Sequence, residues 1–173
     1  MVVRCMRCGR ELSNPQSIKR GFGPVCIRQI QADMQTEGWD EETFITTVPL
    51  TEKLVCRRTD FDTAQTNVPR LVTVHSPTGF EFGYSGSGPA DMALNLVEFV
   101  LRREGYEGWK RREGDGEMFD ASWWMHQKVK EDIIARIPHE GGTLDYGDIK
   151  EKVLGWLEVY EKTVESSDYR GGK

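Results

Sequence analysis

Three cysteines near the start of the chain constrain it more than anything else in the 173 residues. Cys5 and Cys8 form C-x2-C followed by Gly9, and Cys26 follows in Gly21-Phe22-Gly23-Pro24-Val25-Cys26. Two thiolates at that spacing reach one ion from a tight turn, and glycine supplies the permissive dihedral. Pro24 suits the first turn of a helix, and Val25, Ile27, Ile30 and Met34 give the following run an apolar face. Cys26 then sits at a helix start, where the dipole favours a thiolate. The arrangement predicts a treble-clef-like zinc module over residues 1–36.

The fourth ligand is open. A second C-x2-C would need cysteine at position 23, where Gly23 stands. Cys56 is the remaining cysteine and is taken as the fourth metal residue beside Cys5, Cys8 and Cys26, with a histidine, a carboxylate or a partner's residue as alternatives. Reduced structural thiols and an iron–sulfur cluster are the competing readings. A redox C-x2-C fits less well, because no thioredoxin-like βαβ pattern surrounds it. The stretch CMRCGRELSNPQSIKRGFGPVCIRQI resembles a small uncharacterised domain of phage and bacterial proteins, carried by Cys5, Cys8, Gly9, Arg10, Ser17, Arg20, Gly21, Gly23, Pro24 and Cys26. The resemblance implies a metal-binding module and no established activity.

Charge separates this module from the rest. Residues 1–34 hold six basic side chains against two acidic ones, net +4; with the whole chain at −5, the remainder carries −9. A basic module favours phosphate or acidic partners, and an acidic body repels a polyanion. The sequence has no apolar run long enough to span a bilayer and no apolar signal core, which predicts a cytoplasmic protein without a membrane partner.

After an acidic linker, residues 43–165 read as an α+β body, with 166–173 a flexible tail. Thr43–Val48 and Lys53–Arg57 read as short strands. Leu71–His75 and Phe80–Tyr84 flank Ser76-Pro77-Thr78-Gly79, a type I turn signal, and predict a hairpin with Phe80, Phe82 and Tyr84 on one face. Gly86, Ser87 and Gly88 then lead into a helix with Pro89 at its first position, Gly88 or Ser87 as the cap and Asp91 in its first turn. Ala93, Leu94, Val97, Val100 and Leu101 line its apolar face. Free amides at such a helix start can cradle an anion, so Gly86, Ser87 and Gly88 are candidate ligand residues; a tight connection needing small residues is the other reading. Neither a P-loop nor the full dinucleotide glycine spacing is present.

Residues 106–116 read as a polar loop. Its Trp109 and Arg111, with Lys110 and Arg112, could stack on and neutralise a nucleotide or single strand, or form a solvated surface balanced by nearby acids. Asp120 is read as the cap of a helix running to Ile137, Gly141-Gly142 as a turn, and Ile149 to Val164 as a final amphipathic helix. His126 reads as a packed or surface residue. The fold class is therefore α+β, a small antiparallel sheet with about three packed helices, preceded by the zinc module. The run from His75 through Ala90 strongly resembles the signature of a second uncharacterised family common in phage genomes, continuing through Trp124, His126, Lys130 and the last helix. That resemblance implies a phage or prophage origin more firmly than any chemistry.

No G-x-S-x-G or H-E-x-x-H appears, and no catalytic residue is assigned. Three functional expectations follow. The first is a phage-type accessory protein that binds a phosphorylated ligand or nucleic acid, with His75, Gly86, Ser87, Gly88, Trp109 and Arg111 as binding residues and zinc as cofactor. The second is an anti-CRISPR-like or signal-sequestering counter-defence protein whose acidic body meets a host immune effector. The third is a phosphate-ester enzyme with His75 as general base.

Overall fold

The structure is a computed structural model that describes residues 5, 10–20, 23–26, 28, 49–59, 62–76, 78–114 and 116–166. It is α+β with small antiparallel sheets. In chain order the elements are α1 (Pro15–Arg20), β1 (Lys53–Arg58), β2 (Ala64–Thr66), α2 (Ser87–Arg103), β3 (Lys110–Glu113), β4 (Gly116–Phe119), α3 (Asp120–Asp132), a 3-10 turn (Ile134–Arg136), β5 (Gly141–Asp145) and α4 (Tyr146–Ser166). The expected strand at Thr43–Val48, most of the helix expected after Cys26, and the tail lie outside the described residues.

The first sheet has the order β2-β1-β5, all antiparallel, with Cys56 opposite both Thr66 and Gly142. Gly141-Gly142 is thus part of a strand, not a bare turn. Gly141 has φ +108° and packs its α-carbon against the Cys56 carbonyl, where a side chain has no room. The second sheet is a β3–β4 hairpin in the segment expected to be a loop.

Helix α2 is the centre of the body. Fourteen of its seventeen residues are buried, far more than one amphipathic face. It begins at Ser87, two residues before the expected first position at Pro89, with Gly86 rather than Ser87 or Gly88 as N-cap and no capping side chain. Met92, Leu96, Val97, Phe99, Val100 and Leu101 join Met125 and Val129 of α3 and Val153 and Leu157 of α4 in one apolar core. Asp120 is not a cap but the first residue of α3; Phe119 takes the N-cap position. The expected helix to Ile137 stops at Asp132, and Ile137 is extended ahead of Pro138, whose ring disfavours a helical residue before it.

The expected hairpin over residues 71–84 does not form. Phe82 is buried, Phe80 half-buried and Tyr84 exposed, so they share no face. Gly79 and Gly83, at φ +125° and +82°, turn the chain instead. The backbone of residues 71–76 bonds to side chains of α2. Asn95 Oδ1 accepts from Leu71 N at 2.5 Å and Val72 N at 2.9 Å, and its Nδ2 donates to Val72 O at 2.8 Å. Asp91 accepts from Val74 N at 3.2 Å, His75 N at 2.8 Å and Ser76 N at 2.9 Å. One turn further on, buried Glu98 accepts from Phe119 N, Ser122 Oγ and Arg102 Nε at 2.6 to 2.7 Å. Asp91, Asn95 and Glu98, at i, i+4 and i+7, form a buried polar row along an otherwise apolar helix. Each charge is offset by several donors, as burial requires. Asp91 therefore belongs to the core, not to the first turn of the helix.

Candidate functional site

In the amino-terminal segment, Asn14 Oδ1 accepts from Gln16 N and Ser17 N and caps α1, with Pro15 at the first helical position. Cys5 N donates to Arg10 O at 2.7 Å. The Cys5 sulfur is buried and accepts the Gly23 amide at 3.4 Å. Pro24, Val25, Cys26 and Arg28 are helical, and Cys26 is buried as well. Cys8 lies outside the described residues, among which no three Cys, His, Asp or Glu side chains converge. The donor set fits zinc in kind: soft sulfur, shielded from water and stabilised by a backbone amide.

Cys56 stands elsewhere. It lies in β1, 3% exposed, with its sulfur 3.7 Å from Thr66 Oγ1. Burial pushes its pKa up to about 12, against which the Thr66 hydrogen bond acts weakly. This environment favours a packed thiol over a metal-binding thiolate.

The glycine-rich entry to α2 is tightly packed. A Cβ on Gly88 would stand 2.7 Å from Glu81 Cβ, and one on Gly86 would meet the Tyr84 ring. Glu81 is held by Arg58 at 2.9 Å, and Arg58 also donates to Phe82 O. Ser85 Oγ donates to Glu131 at 2.6 Å. Gly88 is thus small because Glu81 packs on it, while Ser87 remains exposed.

Four residues singled out in the sequence, Trp109 to Arg112, lie just before and on β3. Trp109 is 61% exposed immediately before β3. Strand alternation turns Lys110 and Arg112 outward and Arg111 toward the body. Arg111 lies over the Trp123 ring at 4.9 Å and pairs with Glu113 at 3.1 Å and Asp120 at 3.3 Å. Lys110 pairs with Glu117 at 3.5 Å, both well exposed, a contact worth little in water. Trp123 in turn lies against His75, with centroids 5.5 Å apart, and against His126 at 4.9 Å.

His75 and His126 meet Nε2 to Nε2 at 3.0 Å. His126 is buried, with its Nδ1 2.6 Å from the Trp123 carbonyl and its Nε2 2.8 Å from Gln127 Nε2. Burial pulls the His126 pKa down to about 4; the Trp123 carbonyl and Asp91 oppose this, while His75 and Lys130 reinforce it. His126 is therefore neutral near pH 7. His75 and Arg111 were visible in the sequence. His126 was noted only within the resemblance and as a packed or surface residue, and Trp123 was given no role; the fold of α3 against residues 71–76 brings both there.

Residues 1–31 match a family of unknown function (DUF6011), and residues 51–112 match a second family of unknown function (DUF6166). No curated protein and no solved structure matches the chain. The second match ends at the start of the hairpin and does not reach α3 or α4, where the resemblance was expected to continue. The chain is thus similar, in two separate segments, to two uncharacterised families.

Proposed function

We propose that this chain is a phage-type accessory protein that binds a phosphorylated nucleoside unit, free or within a single strand. The observation that carries the reading is the β3 edge: Trp109, largely exposed, beside the outward cations Lys110 and Arg112. An exposed indole offers a stacking face, and the flanking cations offer phosphate partners. On a chain of net charge −5, a local basic strand also stands out from its surroundings. Arg111 contributes less directly, since two carboxylates already engage it. Cys5, Cys8 and Cys26 would hold zinc, which would fix the amino-terminal segment and take no part in chemistry.

The test is titration of the purified chain with a fluorescent single-stranded oligonucleotide and with adenosine monophosphate at several salt concentrations. Binding should weaken as salt rises, and Trp109→Ala should cost about 1–3 kcal/mol of affinity. Binding insensitive to salt, or equal in Trp109→Ala, would refute the reading. Elemental analysis of the same sample should find one zinc per chain, lost in Cys8→Ser.

A further inference from the structure

Two side chains converge on one atom, His126 Nε2. His75 Nε2 lies 3.0 Å from it and Gln127 Nε2 2.8 Å from it. The His75 and His126 ring centroids are 5.0 Å apart, so nitrogens only 3.0 Å apart stand on the facing edges of the rings. The Gln127 contact is not imposed by the helix, since consecutive helical residues point about 100° apart. Its side chain folds back over the imidazole edge instead. His126 is buried, His75 half-buried and Gln127 exposed, so the cluster sits at the edge of the body with one side open to water.

Hydrogen bonding alone serves this cluster poorly. The Trp123 carbonyl can only accept, so His126 Nδ1 carries hydrogen and its Nε2 keeps a single lone pair. The Gln127 N–H and a His75 N–H would compete for that one pair, while an unprotonated His75 Nε2 would face it lone pair to lone pair. A metal ion removes the conflict, because each donor then gives its own lone pair to the ion. Two metal–nitrogen bonds of about 2.0–2.1 Å, separated by about 90–110°, set the nitrogens about 2.8–3.4 Å apart, a range that holds the observed 3.0 Å. The ion stands off the line between the two nitrogens. A half-turn of the Gln127 amide exchanges Nε2 for Oε1 and presents a third donor. The Trp123 carbonyl then acts as the outer partner usual for a metal-bound histidine, fixing which ring nitrogen is free to ligate. Asp91 holds the His75 amide at 2.8 Å, and the neighbouring cations Lys130 and Arg111 are already paired with Glu131 and with Glu113 and Asp120.

The geometry points to His75 Nε2, His126 Nε2 and Gln127 Oε1 as a second metal site, which takes a late divalent transition ion such as nickel(II), copper(II) or zinc(II) and leaves its other positions to water or an anionic ligand. Imidazole donors suit these ions, whereas magnesium and calcium seek oxygen, chiefly carboxylate. The donors are distinct from Cys5, Cys8 and Cys26, and the site does not depend on the nucleoside reading. All three donors are neutral and one is exposed, so the site is weaker than a thiolate set and fills from added metal.

The experiment is calorimetric titration of nickel(II) chloride at pH 7.5 into the full chain, free of any histidine tag and loaded with zinc and dialysed beforehand. One nickel ion per chain should bind in the micromolar range. His75→Phe keeps a ring against Trp123 but removes a donor, and should weaken binding by about tenfold or more; Gln127→Ala, at an exposed position, should weaken it by about two- to tenfold. His139→Ala removes the third histidine, which is exposed and outside the cluster, and should change nothing. Nitrogen NMR of the unaltered chain with 15N-labelled histidine decides even where a variant fails to fold. Added zinc(II) chloride should shift the Nε2 resonances of His75 and His126 together and saturate at one equivalent. The proposal is overturned by an absence of saturable nickel binding, by equal binding in His75→Phe, by loss of binding in His139→Ala, or by a zinc shift confined to one of the two rings.

Discussion

Lowering the pH should destabilise this protein through His126 in a way that one substitution removes. The ring is 2% exposed and its pKa is held down to about 4, against an ordinary value of 6.5. The folded state therefore resists a proton that the unfolded chain accepts. The sign follows: the contribution is fully favourable above about pH 6.5, falls as pH drops from 6.5 toward 4, and levels off below that. At pH 5 the unfolded chain gains about 2 kcal/mol from protonating this site, and the folded chain almost nothing. With a urea dependence of roughly 2 kcal/mol/M for a chain of this size, the unfolding midpoint should drop by about 1 M between pH 7.5 and 5 from this residue alone. Carboxylates and the other histidines add their own pH dependence, so the comparison is with His126→Gln. That variant keeps a polar side chain but has nothing to protonate. Urea unfolding followed by circular dichroism at both pH values should show the larger drop in the unaltered chain, by about that amount. Equal drops in the two proteins would refute the claim that burial keeps this imidazole neutral.

Three further outcomes follow from the packing. Asn95→Leu should cost about 2–4 kcal/mol in chemical denaturation, because the amides of Leu71 and Val72 lose their acceptor inside the core. Gly141→Ala should cost at least about 2 kcal/mol and lower the melting temperature clearly, since φ is +108° and the new methyl would collide with the Cys56 carbonyl. Cys56 should resist iodoacetamide at pH 8 in the native protein and react once urea unfolds it, because the thiolate is the nucleophile and burial suppresses it; mass spectrometry of the labelled peptide reads this directly.

The parts of the fold that were legible in the sequence are those whose partners are local. The start of α2 could be read to within two residues from Gly88 and Pro89, its covered faces from Leu94, Val97 and Leu101, and its end from Arg102 and Arg103, which lie in its last turn. The parts that were not legible depend on distant groups. Leu71 to His75 have strand-like side chains, but the amides of Leu71, Val72, Val74 and His75 are taken by Asn95 and Asp91, so no hairpin is needed. The clue was present: a helix reading Asp91, Asn95, Glu98 among apolar neighbours has polar groups at helical spacing that must find partners inside. Gly141-Gly142 looked like a turn because glycine is common there, and only the close approach of β1 makes it a strand. At the site, Trp109, His75 and Arg111 were visible by residue type and position. Their connection through Trp123 and His126 depends on how α3 packs, which no local pattern records.

The polar row on α2 has a consequence for how this chain can change over time. In an ordinary sheet, a strand slipped by two residues finds the same kind of neighbour and loses little. Here residues 71–76 dock on fixed teeth, so a slip would strand donors beside aliphatic carbon. Two of these teeth, Asp91 and Asn95, hold the segment by its peptide groups, while buried Val72 packs with Leu94 and Met118 and His75 lies against Trp123 and His126, so the helix teeth and these side chains tolerate little exchange. Insertions or deletions between residue 71 and residue 91 should therefore be accepted in the exposed bend around residue 85 and rejected within the docked hexapeptide.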